Sequence, residues 1–128
     1  MAQINSFRDL NVYKLAREQA RKIFEVTRAF PSEEKYSLTD QIRRSSRSVN
    51  TMIAEAWARR PYIAVFTNKI CEALGETMET QAWLDHSLDC QYITSAQHRQ
   101  LDAARQSIGA MLNQMMARAE TFCPNSNR

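Results

Sequence analysis

The sequence predicts an all-α protein, an antiparallel up-down-up-down four-helix bundle in a single domain over residues 1–128. Three observations predict it. Apolar residues recur at spacings of three and four through most of the chain, the signature of amphipathic helices. Only two glycines and three prolines occur in 128 residues, too few for the turns of an all-β fold. Breaker-rich stretches divide the pattern into four segments of roughly 20–30 residues, and connections that short imply antiparallel neighbours.

The first helix is expected over residues 7–30. Ser6 is placed to cap it, with Asp9 in the capping-box position. Leu10, Tyr13, Ala16 or Arg17, Ala20, Ile23 or Phe24, Thr27 and Phe30 form its stripe, and Pro31 ends it. Lys14, Glu18, Lys22 and Arg21, Glu25 alternate in sign at spacings of four, as on a solvated face. Ser32, Glu33 and Glu34 suit a single helical turn. The second helix spans 38–60, capped by Ser37 or Thr39. Leu38, Ile42, Ser45 or Ser46, Val49, Ile53, Ala56 and Trp57 form its stripe, and Pro61 closes it. The third is expected over 62–91. Its Gly75 costs about 1 kcal/mol relative to alanine, and close packing against another backbone is the expected compensation. The fourth, over 95–122, starts at Thr94 with Gln97 in the capping-box position. Its stripe is Leu101, Ala104 or Arg105, Ile108, Met111 or Leu112, Met115, Ala119 and Phe122. Residues 123–128 are expected to be a disordered tail.

Charge is uneven along the chain. Residues 1–60 carry 12 Lys or Arg against 7 Asp or Glu, a balance of +5, and residues 61–128 carry 5 against 7, a balance of −2. A basic half suggests an anionic partner. Cys71, Cys90 and Cys123 are widely spaced, with neither a zinc-binding nor a disulfide pattern, and suit a reducing, cytoplasmic setting. The start of the chain has no apolar stretch of signal-peptide type, and no run is long enough to span a membrane.

The arginines of the second helix are the best ligand-binding candidates. Arg43, Arg44 and Arg47, with Arg59 and Arg60 at its end, can hold phosphates through two-point contacts. Ser45, Ser46, Ser48 and Asn50 among them can add neutral hydrogen bonds to a nucleic-acid backbone. The competing reading pairs these arginines with acids of a neighbouring subunit, such as Glu33, Glu34 or Asp40. Glu55, near the middle of the second helix, reads as an internal ion pair or hydrogen-bond network with one of these arginines, since a buried carboxylate needs a partner. It lacks the second group of an acid–base pair, so catalysis is the weaker reading. His86 beside Asp85 and Asp89 reads as a solvated group rather than a metal face. No cofactor or metal is expected.

Two separated blocks carry a resemblance. FRDLNVYKLA, FPSEEKYSLTDQIRRSSRSV and IAEAWAR form the first; Ala73, Gly75, Glu79, Thr80, Trp83, Leu84, Tyr92 and Ile93 form the second. Over about residues 7–116 the chain resembles the four-helix-bundle proteins first noticed in intervening sequences of bacterial 23S ribosomal RNA genes. The resemblance implies a left-turning bundle that assembles into a ring, commonly a pentamer, with no established activity. It also implies a relation to accessory proteins of diversity-generating retroelements, basic barrels that bind a reverse transcriptase and nucleic acid. The chain departs from the family pattern at Asn50, Met52, Ala56 and Glu76, where proline, asparagine, glycine and serine are usual. A straighter second helix is the expected consequence. The function expected from residues and resemblance together is a non-enzymatic homo-oligomer that binds RNA or DNA through its basic surface, as an accessory to a reverse transcriptase or other nucleic-acid protein. The alternative is an assembly module that binds protein alone.

Overall fold

The computed structural model describes residues 3–126. Four long helices carry the fold: α1 (Asn11–Thr27), α2 (Leu38–Ala58), α3 (Ile63–Asp89) and α4 (Ser95–Ala117), followed by one short turn of helix, α5 (Ala119–Phe122). No strand occurs among the described residues. Cross-helix contacts fix the directions. Arg43 meets Thr27 and Asn50 meets Tyr13, so α2 runs against α1. Ser45 meets Thr80 and Glu55 meets Lys69, so α3 runs against α2. Asp85 meets His98 and Gln81 meets Asp102, so α4 runs against α3. Helix α1 packs on α2 and α4, and α3 packs on the same two. The result is a square up-down-up-down bundle.

The elements start and stop for local reasons. Ser6 and Asp9 do form a capping box, but it closes a 3-10 turn over Phe7–Asp9 rather than starting α1. Leu10 then adopts an extended conformation, φ −67° and ψ 130°, which breaks the helix and buries the Leu10 side chain. The expected helix over 7–30 is therefore shorter at both ends. Ser37 sits at the N-cap of α2 without capping it. Its hydroxyl donates instead to the Glu34 carboxylate at 2.6 Å, and Tyr92 donates to the same carboxylate at 2.9 Å. Helix α2 runs unbroken through Asn50 and Met52, where the family pattern has a proline and an asparagine. Asn50 uses its amide to donate to the Tyr13 carbonyl at 3.1 Å.

The turn between α3 and α4 is closed by two backbone bonds, Tyr92 N–H to Ser87 O and Gln91 N–H to Leu88 O, both 2.9 Å. This is the Schellman arrangement, and it places Gln91 in the left-handed region at φ 61°. Thr94 caps α4 and Gln97 completes the box, as its spacing predicts.

Two sequence expectations fail here. Gly75 does not allow a close helix approach: it is exposed, and a Cβ added there would meet nothing within 4 Å. The tail is not free over 123–126. Cys123 is buried, and the Ser126 hydroxyl accepts the backbone N–H of Ile63 at 2.7 Å, at the start of α3. Residues 127–128 lie outside the described residues.

The core is in two parts. One end packs Val12, Ala16, Val49, Ile53, Phe66, Ile70, Ile108 and Leu112, among others. The other packs Ile23, Phe30, Leu38, Ile42, Leu84, Ile93 and Leu101. Between them in sequence on every helix lie buried polar side chains: Gln19 on α1, Ser45 and Ser46 on α2, Thr77 and Thr80 on α3, and Arg105 on α4. The hydroxyls bond to carbonyls of their own helices, and Ser45 also meets Thr80 at 2.8 Å. Gln19 donates to the Leu101 carbonyl. Arg105 is fully buried, and none of its three guanidinium nitrogens has a hydrogen-bond partner.

Candidate nucleic-acid interface

The helical period separates the arginines of α2. Arg43 and Arg47 lie about 40° apart around the helix, whereas Arg44 lies about 100° from Arg43. The first two face α1, and Arg44 faces α3. Their environments differ accordingly.

On the α1 side, Arg43 donates from Nε to the Thr27 hydroxyl at 2.8 Å. Its guanidinium carbon sits 4.6 Å from the centre of the Phe24 ring. Arg47 approaches the same ring at 5.4 Å and Arg28 at 5.9 Å. Three cations thus gather on one aromatic ring, each contact worth roughly 0.5–1 kcal/mol at an exposed site. Arg17 and Arg21 project from α1 into the same surface. With Tyr13, Ala20, Phe24, Arg47, Asn50 and Thr51 they line a shallow groove of about 390 Å³. No acid lines that groove. Among the described residues, no carboxylate lies within ion-pair distance of Arg17, Arg21, Arg43 or Arg47. Arg28 pairs with Glu25 at 3.6 Å, and both side chains stay more than half exposed.

On the α3 side, Arg44 is occupied. It bonds Glu76 at 3.3 Å and also pairs with Glu79, whose carboxylate accepts the Trp83 indole N–H at 3.0 Å. Glu76 is the residue that replaces the family's usual serine, so this departure supplies a partner for Arg44. The acids that hold Arg44 belong to its own chain, not to a neighbouring subunit.

The other candidates are placed as follows. Arg60 lies 3.6 Å over the Trp57 ring and donates to the Trp57 carbonyl at 2.8 Å. Arg59 is exposed at the C-cap of α2. Both lie about 18 Å along the helix axis from Arg47, away from the groove. Ser45 and Ser46 are fully buried and have no access to a ligand. Glu55 is exposed rather than internal; it pairs with Lys69 of α3 at 3.1 Å, not with an arginine.

The sequence reading missed Arg17, Arg21 and Phe24. The signal was present: residues 17, 21, 24 and 28 recur at spacings of four, three and four on one face of α1. Glu18 and Glu25 hid it, because they made the helix look like a solvated face of alternating charge. Glu18 pairs with Lys22 at 3.7 Å and Glu25 with Arg28, which leaves Arg17 and Arg21 on their own.

Comparison with known proteins agrees with the fold. The family model for the 23S rRNA-intervening sequence protein matches residues 8–114. A crystal structure of a protein with unknown function from the S23 ribosomal protein family of Bacteroides thetaiotaomicron VPI-5482 is 29% identical, with a TM-score of 0.75. The match covers 83% of this chain and 95% of that one. No curated protein matches the chain.

Proposed function

This chain belongs to the 23S rRNA-intervening sequence protein family, and on that premise we propose that it is a non-enzymatic, homo-oligomeric bundle that binds the phosphate backbone of RNA or DNA. The observation that carries the proposal is the α1–α2 groove lined by Arg17, Arg21 and Arg47, with Arg43 beside it on Phe24; none of the four has a carboxylate partner. Arginine forks suit phosphate oxygens, and a half-buried ring among them offers an edge or face to an unstacked base. Contacts of this kind position a nucleic acid without reading its sequence.

Several observations support the remaining parts of the proposal. Glu55 is held by Lys69 on an open surface, which is no setting for a general acid or base. Tyr62 and Val65 are exposed at the start of α3. They adjoin an open groove lined by Ile63, Ala64 and Met116, a surface suited to self-association. The family resemblance makes a pentameric ring the expected assembly, and a ring would multiply a weak groove through repeated contacts with one strand. A reverse transcriptase or similar nucleic-acid protein is the proposed companion. Among the described residues, no helix is long and apolar enough to cross a membrane.

The test is fluorescence anisotropy with a labelled structured RNA and a duplex DNA at two salt concentrations, alongside the light-scattering mass. Four arginines on four phosphates give a log–log salt slope of about −3 to −4 per chain on duplex DNA. Changing Arg17, Arg21, Arg43 and Arg47 to Glu abolishes binding and keeps the assembly mass. Arg44→Gln, which removes a guanidinium that meets Gln41, Glu76 and Glu79 on the α3 side, leaves binding intact. Equal binding by wild type and the quadruple variant refutes the groove. No binding by wild type at low salt makes the bundle an adaptor for protein alone.

A further inference from the structure

A second cluster of chemistry-bearing side chains lies across the α3–α4 seam, far from the arginine groove in sequence. His98 and Asp102 stand one turn apart on α4, and Asp85 faces them from the last turns of α3. One ligating atom from each can be chosen so that all three lie within 4.8 Å of one another. His98 Nε2 meets Asp85 Oδ1 at 2.8 Å. The His98 side chain is only 19% exposed, whereas Asp85 is 67% exposed and free to turn. Asp102 is steadied from behind: the Gln81 amide donates to its Oδ1 at 3.2 Å and to Gln106 at 3.2 Å.

The charge of this cluster is uncompensated. Among the described residues, no lysine or arginine pairs with Asp85 or Asp102. With a neutral imidazole the three groups carry two negative charges. An imidazole at i, a carboxylate at i+4 and a carboxylate from the facing helix make a donor set of one nitrogen and two oxygens on one side of a cation. His86, the histidine beside Asp85 in sequence, takes no part; it packs against Trp83 with ring centres 5.7 Å apart.

We propose that Asp85, His98 and Asp102 form a binding site for a divalent transition-metal ion of the zinc class. A nitrogen donor with two carboxylates favours zinc, cobalt or nickel over magnesium or calcium, which take oxygen ligands alone. Ligand bonds of about 2.0–2.2 Å require the three groups to draw together. A change of rotamer at exposed Asp85 does this without moving either helix. The ion replaces the His98–Asp85 hydrogen bond and ties α3 to α4. Gln81 is the outer partner that orients Asp102, the role such hydrogen bonds play in metal sites generally. Water fills the remaining coordination positions.

The test uses the full chain with Cys71 and Cys90 changed to Ser, because both thiols are exposed and thiolates bind zinc themselves. Zinc chloride is titrated calorimetrically, cobalt chloride is followed by its visible absorption, and melting is recorded with and without zinc. The expected result is one ion per chain and a melting temperature raised by zinc. His98→Gln and Asp102→Asn each remove binding, and Gln81→Leu weakens it about 10–100-fold. Circular dichroism checks that each variant folds. Should His98→Gln fail to fold, Asp102→Asn carries the test. No binding by the parent chain, or binding that survives in the folded ligand variants, overturns the site.

Discussion

Replacing Arg105 by methionine is expected to stabilise the protein, against the usual outcome for a fully buried side chain. Burial pushes the Arg105 guanidinium down to about 9. That drop from a free guanidinium corresponds to about 5 kcal/mol of penalty on the charged form, and no hydrogen bond or ion pair offsets it. Methionine keeps the unbranched stem and fills irregular space with a polarizable, uncharged end. Part of the gain is lost because methionine fills a smaller volume than arginine. Exchange of buried charge for apolar side chains gains about 1–4 kcal/mol in known cases, and the same range is expected here. For a domain of this size it raises the melting temperature by roughly 3–5 °C per kcal/mol. Urea unfolding followed by circular dichroism measures it as a higher midpoint with an unchanged slope. The pH dependence gives a second check. A base whose pKa is lowered on folding costs stability while it is charged, so wild-type stability recovers as pH rises above about 9 and the Arg105→Met advantage narrows. A loss of about 3 kcal/mol or more, the cost of breaking a satisfied buried pair, refutes the reasoning and shows that the guanidinium is compensated by water or an ion.

Three further outcomes follow from the local geometry. Gly75→Ala gains about 1 kcal/mol in urea unfolding, since the added methyl meets open space; a loss would show that the position is covered in an assembly. Gln91→Gly gains about 1 kcal/mol by relieving the left-handed backbone, and an unchanged midpoint would mean that the side chain repays its strain. Tyr92 is raised to about 12, first by its hydrogen bond to the Glu34 carboxylate. The stability it confers is complete below pH 10 and lost as pH rises towards 12, so Tyr92→Phe flattens that part of the pH–stability curve; an ordinary ultraviolet titration midpoint for Tyr92 would refute the contact.

Much of the fold was legible because a bundle writes its packing into the 3.6-residue period. Leu38, Ile42, Val49, Ile53 and Ala56 are all buried as the spacing implied. Pro31 and Pro61 marked two connections correctly. The break at Leu10 was not legible, because a capping box looks the same whether it opens a long helix or a 3-10 turn. Arg105 was one of two alternatives for its stripe position. The period points to residue 105, whereas hydrophobicity points to Ala104, and the fold followed the period. The candidate arginine site was half legible. Sequence placed Arg43, Arg44 and Arg47 on the right helix, but their roles depend on whether α1 or α3 stands opposite. Thr27 and Phe24 hold Arg43 on the α1 side beside the groove, while Glu76 and Glu79 hold Arg44 on the α3 side.

The polar layer through the middle of the bundle has a bearing on the surface it underlies. Apolar helix faces tolerate slippage, because one leucine replaces another when a helix shifts by a turn of about 5.4 Å. Here a shift of α1 or α2 by one turn would carry Gln19 or Ser45 into aliphatic packing and set aliphatic residues against Thr80. The layer therefore works as an index mark that permits one axial alignment. The arginine groove needs that alignment, since Phe24 must stand level with Arg43 and Arg47, and Thr27 must receive Arg43. An interior that gives up stability around one unpaired guanidinium thereby holds the spacing of four charges on the outside, which is the property a phosphate backbone would read.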